Sequence, residues 1–192
     1  MNYEIMIPPA HLAQPFEEFN QDQVEEYFQW HMSQIGHRIS VLNQYIGDEG
    51  VKIELDYSSE SLIPLWKWYE KHIVVERVPL REYIGELRSS PKWMKRYVPR
   101  TKISLMKTFG FGADIAIYFA ETVRKNSEEK ISWGYFTRPK VEGYNRPVLK
   151  GFKGKMTMNP DRIIYICTLE SAEKRRETRL LETYNVWKEY IV

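Results

Sequence analysis

Ala113-Asp114-Ile115-Ala116-Ile117-Tyr118-Phe119-Ala120-Glu121-Thr122-Val123 is apolar on nearly every side when wound as a helix. A helix of that kind belongs inside a protein, so this stretch is read as the central buried helix. It forms the second half of a helix expected over about 102–125, with Thr101 as its cap. Gly110 and Gly112 fall in its first half, as kinks or as tight packing sites. The apolar part is about half of the roughly 18–20 residues that span a bilayer. Asp114, Tyr118 and Glu121 are spaced i, i+4, i+7, which puts them on one helical side. Unpaired buried charge is costly, so these acids need partners. Arg138, Lys140, Arg146 and Lys150 are the cations offered by the next segment. Two readings follow: a structural ion-pair network, or a polar cleft around Asp114, Glu121 and Arg146 that takes a ligand. Either way, an arginine of 131–152 is expected on one of the two acids.

Upstream, Val24, Tyr27, Phe28, Met32, Ile35, Ile39, Leu42 and Ile46 recur at steps of three and four. That is one face of a long helix. Asn20 with Gln23 forms a capping box, and Gly47-Asp48 ends the helix. Gly36 in its middle marks a close helix crossing. Val51 to Asp56 alternates apolar and polar residues and reads as a strand with one wet face. A helix is expected from about Glu60 to Ile73. Pro79, Pro91 and Pro99 then divide the chain into short pieces, with helices over Leu80–Leu87 and Pro91–Tyr97.

Downstream, Ile131–Thr137, Pro147–Phe152 and Arg162–Leu169 read as successive strands of an antiparallel meander. The last of these contains Cys167. A final helix runs over about 177–190. Helices and strands are partly segregated, so the fold class is α+β: a mostly antiparallel sheet of about four strands packed by long helices. The division read here is one domain over 1–192. The runner-up is a helical part, 1–73, beside an α+β part, 100–192.

Hydrophobic residues make up 43% and charged residues 28% of the 192, which excludes a disordered chain. The lone cysteine excludes an internal disulfide. Met1 to Pro9 has no basic segment followed by an apolar one, so a cytoplasmic protein without a membrane span is expected. Residues 1–70 carry three basic and twelve acidic side chains, while 71–192 carry 25 and 14. The basic excess concentrates in Arg81–Lys107 and Arg138–Lys155. Either the two halves offset each other, or the basic part meets phosphate or an acidic partner.

No catalytic motif stands out. His31 and His37 are about 120° apart around a helix and make poor co-ligands, so no metal is expected. Gly110-Phe111-Gly112 has neither dinucleotide nor P-loop spacing, so no cofactor is expected. Arg88-Ser89-Ser90-Pro91-Lys92-Trp93-Met94-Lys95-Arg96-Tyr97 mixes cations with rings, as nucleic-acid surfaces do. The modest net charge ranks nucleic acid below a protein partner. Trp68 points away from the Leu62, Leu65, Trp66, Tyr69 and Ile73 stripe, and is expected at a partner surface.

Ser61-Leu62-Ile63-Pro64-Leu65-Trp66-Lys67-Trp68, Asp114 to Phe119, Ile131 to Tyr135 and Asn145 to Phe152 resemble uncharacterised bacterial proteins over about 50–190. Over 110–152, Tyr118-Phe119-Ala120-Glu121 followed by Trp133-Gly134 also resembles small immunity-type proteins found beside bacterial toxins. The resemblance implies a bacterial, cytoplasmic binding protein and no catalytic residues. The expected function is therefore a non-enzymatic protein-binding module. The alternative is a small-molecule binder or enzyme using the polar cleft. The candidate binding residues are Trp68, Asp114, Tyr118, Glu121, Trp133, Arg138, Asn145 and Arg146. A homo-oligomer is left open.

Overall fold

The computed structural model describes residues 3–92, 94–95, 98–137 and 143–192. Trp93, Arg96 and Tyr97 of the aromatic-basic segment, and Arg138 and Lys140, lie outside the described residues. So does part of the helix expected over Pro91–Tyr97.

The long N-terminal helix, α1, spans Gln21–Asp48. Its start is the expected capping box: Asn20 Oδ1 accepts from the Gln23 N–H at 2.9 Å, and Gln23 Oε1 accepts from the Asn20 N–H at 3.1 Å. The buried face is rotated from the apolar stripe. Val24, His31, Arg38, Ile39, Leu42, Tyr45 and Ile46 are buried. Phe28 and Ile35, placed in the core from the sequence, are only half-buried. Gly36 meets open space rather than a crossing helix.

The second helix, α2, spans Leu62–Glu70, and α3 spans Leu80–Ser89. The central helix, α4, spans Met106–Lys125, starting later than the sequence implied. Thr101–Ile103 is instead a strand, β2, antiparallel to β1 at Val75–Arg77. Thr101 therefore does not cap α4. Neither glycine breaks the helix. Gly112 leaves room for the Tyr69 hydroxyl, which lies 3.1 Å from where a Cβ would stand. From Ile115 to Val123 every residue of α4 is buried. Each large apolar side chain enclosed there contributes roughly 1.5–3 kcal/mol.

Strand β3, Ser132–Tyr135, pairs antiparallel with β4, Pro147–Lys150, as a two-stranded ribbon. The third strand of the expected meander is a helix, α5, at Pro160–Glu173. Asn159 caps it by accepting from the Arg162 N–H, and Pro160 sits at the first helical position, where its fixed φ is an advantage. A short run of buried apolar residues fits helix and strand equally, and here the capping chemistry decides. The last helix, α6, spans Arg179–Lys188.

Val51–Asp56 keeps the in-and-out exposure of an extended chain but joins no ladder among the described residues. The fold is thus α+β, with six helices and two separate two-stranded antiparallel sheets among the described residues. A single sheet of about four strands does not form. Helix α4 packs against α1, α5 and α6, while α2 lies on α5 and α6. The main core runs from Tyr3 to Tyr184, and Leu12, Phe19 and Val24 form a smaller cluster under the N-terminal arm. No helix among the described residues is long and apolar enough to cross a membrane.

Two tests follow from this packing. Gly151, just after β4, has φ +111°, and a Cβ there would run into the Lys130 carbonyl oxygen. Gly151→Ala is expected to cost on the order of 2 kcal/mol or more in chemical denaturation, from backbone strain plus the clash. The second test concerns His31. Its ring is enclosed between Tyr27 and Trp133, and its Nε2 has no hydrogen-bond partner. Burial lowers its pKa to about 4. Below the ordinary value near 6.5 the unfolded chain takes a proton that the folded ring refuses. Stability therefore falls as pH drops from about 6.5 to about 4, by up to roughly 3 kcal/mol. His31→Phe is expected to flatten that part of the stability–pH curve.

Candidate functional site

Asp114 is fully buried, and its partner comes from α1. The Arg38 guanidinium donates from Nε to Oδ1 at 2.8 Å and from Nη2 to Oδ2 at 2.7 Å. The Tyr3 hydroxyl donates to the same carboxylate. Arg38 is itself 1% exposed and also reaches Glu4 on the arm. The two partners pull in opposite senses. Burial drives the Asp114 carboxyl up, with Arg38 and Tyr3 pulling it back. Arg38, although burial opposes its charge, is raised by Asp114. The two parallel N–H bonds require an ionised acceptor, so we read a charged pair.

Glu121 is served by its own helix. Arg124 donates from Nε and Nη2 at 2.9 and 2.8 Å. The Trp133 indole N–H donates to Glu121 Oε1 at 2.7 Å. Burial works against the charge, yet these donors hold the carboxyl below its ordinary range. Among the described residues the arginines on these acids are Arg38 and Arg124, and Arg146 is on neither; Arg138 lies outside the described residues. The hydrogen bond from 131–152 to Glu121 comes from an indole.

Tyr118 is buried. Its hydroxyl accepts from the Tyr57 N–H at 2.9 Å and meets Ser61 Oγ at 2.6 Å. Asn145 is buried with φ +61°, and its amide donates to the Phe16 carbonyl at 2.9 Å. Trp68 is 2% exposed, with its indole N–H on Glu49 at 2.8 Å. The expectation that it faces a partner is overturned. It lies off the α2 stripe but is covered by Tyr45, His72 and Phe111. Asp114, Tyr118 and Glu121 therefore hold elements together, each with different partners, and do not share one cleft with Arg146.

Arg146 lines a cavity of about 580 Å³. The first turns of α4 give Thr108, Phe109, Gly110, Gly112 and Ala113. The first turns of α5 give Asp161, Arg162, Ile164, Tyr165 and Thr168, with Asn159 at their head. The arm contributes Ile5, Met6 and Glu17, and Tyr69, Ile103 and Gly143 complete the wall. The apolar wall is fixed from behind: the Tyr69 hydroxyl donates to the Thr108 carbonyl at 3.1 Å. The rim is held by Arg146 over the Phe16 ring, 4.3 Å from its centre.

Arg146 and Asp161 carry opposite charge on this wall. Neither side chain makes a hydrogen bond or ion pair with another described residue. Protein atoms crowd Asp161, and this raises its carboxyl while Arg146 opposes the rise. Water still reaches the exposed side chain through the cavity, so no large energetic cost attaches to that crowding. Tyr27, nearby on α1, is pushed up to about 12 by burial and by Asp161. Sequence reasoning found Arg146 here but missed Asp161. The signal was Asn159-Pro160-Asp161, a cap, a first-turn proline and a first-turn acid, which marks a helix N-terminus.

Cys167 on α5 is buried, and burial pushes its thiol up against the pull of Thr183 and Arg179. A thiol so placed is a core hydrophobe rather than a nucleophile. Among the described residues no three His, Cys, Asp or Glu side chains gather as a metal ion would require.

The Arg38–Asp114 pair can be tested by stability. Asp114→Asn is expected to cost about 3–5 kcal/mol, because it leaves the guanidinium buried without its counter-charge. The double replacement Arg38→Met with Asp114→Leu is expected to recover most of that loss, measured by urea unfolding.

No family model, curated protein or solved structure matches this chain.

Proposed function

We propose that this chain is a non-enzymatic binding protein whose ligand is a small zwitterion with an apolar body, held in the cavity between α4, α5 and the N-terminal arm. One observation carries the reading. A guanidinium (Arg146) and a carboxylate (Asp161) stand on the same cavity wall, and neither is satisfied by another described residue. An α-amino acid or a molecule of similar charge layout meets both, its carboxylate on Arg146 and its ammonium on Asp161. Phe109, Ile164, Ile103 and Met6 suit its apolar part. The volume lies within the roughly 300–1,000 Å³ usual for small-molecule sites, which are mostly apolar with a few placed polar groups. No nucleophile stands beside a base among the described residues lining the cavity, which favours binding over chemistry. A cytoplasmic setting belongs to the same reading.

Isothermal titration with a panel of amino acids tests it. At least one with an apolar side chain is expected to bind. Arg146→Gln and Asp161→Asn are each expected to weaken it about tenfold to a hundredfold, the worth of a charge-assisted hydrogen bond. The corresponding deaminated acid is expected to feel only the arginine change. No binding across the panel at millimolar ligand, or binding indifferent to both substitutions, would end the proposal.

A further inference from the structure

Between α1 and α2, Val51-Lys52-Ile53-Glu54-Leu55 shows the alternating exposure of an extended chain. Val51, Ile53 and Leu55 turn toward the core, and Lys52 and Glu54 are exposed. The segment is pinned at both ends through odd-numbered residues. The Val51 N–H donates to the Ile46 carbonyl at 3.2 Å. The Tyr57 N–H donates to the Tyr118 hydroxyl at 2.9 Å, and the Tyr57 carbonyl accepts from Asn126 at 2.8 Å. Between these anchors, the backbone N–H and C=O groups of Lys52 to Leu55 make no hydrogen bond to any described residue. Successive residues of an extended chain present these groups to opposite edges. The ties at Val51 and Tyr57 both fall on the odd edge, which is free only at Ile53 and Leu55, whereas the even edge, at Lys52 and Glu54, carries no tie.

Proteins normally blunt an open edge with proline, a bulge or charged side chains. Here the two exposed charges are opposite in sign and two residues apart, flanking Ile53. We infer that this edge pairs with the same edge of a second copy, forming an antiparallel two-stranded junction across a two-fold axis at Ile53. In that register Lys52 lies opposite Glu54 of the second copy, and Glu54 opposite its Lys52. Val51 lies opposite Leu55, and Ile53 opposite itself. Each Lys52–Glu54 pair exchanges both backbone bonds, and both side-chain charge pairs are attractive. An unrelated strand has no such match built in. A two-fold contact using one edge closes at two copies and does not propagate. The inference is independent of the cavity and its ligand.

The test uses the full chain and sedimentation over about 10 µM to about 1 mM, the range for a junction this small. The wild type is expected to show a monomer–dimer equilibrium. Lys52→Glu alone puts Glu opposite Glu twice, and Glu54→Lys alone puts Lys opposite Lys twice. Each is expected to weaken the dimer about tenfold or more. Lys52→Glu with Glu54→Lys restores both attractive pairs and is expected to restore the dimer. Both positions are exposed, so the melting temperature of the monomer serves as a folding control. A wild type that is monomeric throughout, a dimer indifferent to the single changes, or a double swap without rescue would each overturn the inference.

Discussion

The Arg38–Asp114 pair, closed by Tyr3, is the contact on which the rest of the structure depends. It joins the two longest helices and the N-terminal arm at one buried point. A pair of this kind adds little net stability over an apolar replacement, since desolvating both ions offsets most of their attraction. It does penalise every other arrangement. Any slip of α1 along α4 would leave one charge enclosed alone. Apolar contacts between two long helices tolerate such slips, so the pair supplies the register that packing alone leaves loose.

Register has consequences for the cavity. Tyr3 and Glu4 bind the arm to Arg38 and Asp114, which sets Ile5 and Met6 against the start of α4. Asn145 and Arg146 fasten the arm a second time at Phe16, by a hydrogen bond and by a cation over a ring. The cavity wall is thus assembled from pieces about 150 residues apart in the chain. Arg146 turns its planar face to Phe16, while its side-chain N–H donors are not paired with any described residue. The same segment carries two devices: a φ-positive asparagine that turns the chain, and an arginine that faces the cavity.

Several placements show where patterns in the chain stop being informative. The apolar stripe of α1 gave the helix but not its orientation, because a buried arginine counts as polar in any hydropathy reading. Trp68 sits about 200° from Trp66 on α2, yet a second layer from α1 and α4 covers it. The run Ile163 to Cys167 is apolar enough for a strand, and only the cap and proline ahead of it separate the two outcomes. In Val51 to Leu55 the alternation of faces is correct, while the ladder it implied is absent. Alternation reports which side chains meet the core, not whether a second strand lies alongside.

What the chain determined by itself is local. The capping box at Asn20, the buried character of Ala113 to Val123, the β3–β4 pairing around its turn and the mixed α+β class all follow from contacts within a few residues or from one-dimensional patterns. Only the tertiary structure decided which cation meets Asp114, that the sheet splits in two, and that Arg146 and Asp161 share a cavity wall. Those outcomes rest on groups 15 to 76 positions apart in the sequence. Charge pairing and cavity formation depend on distance in space, and several cations in this chain were chemically suited to each acid. Which of them arrives is set by how the helices pack, and no spacing rule along the chain encodes that.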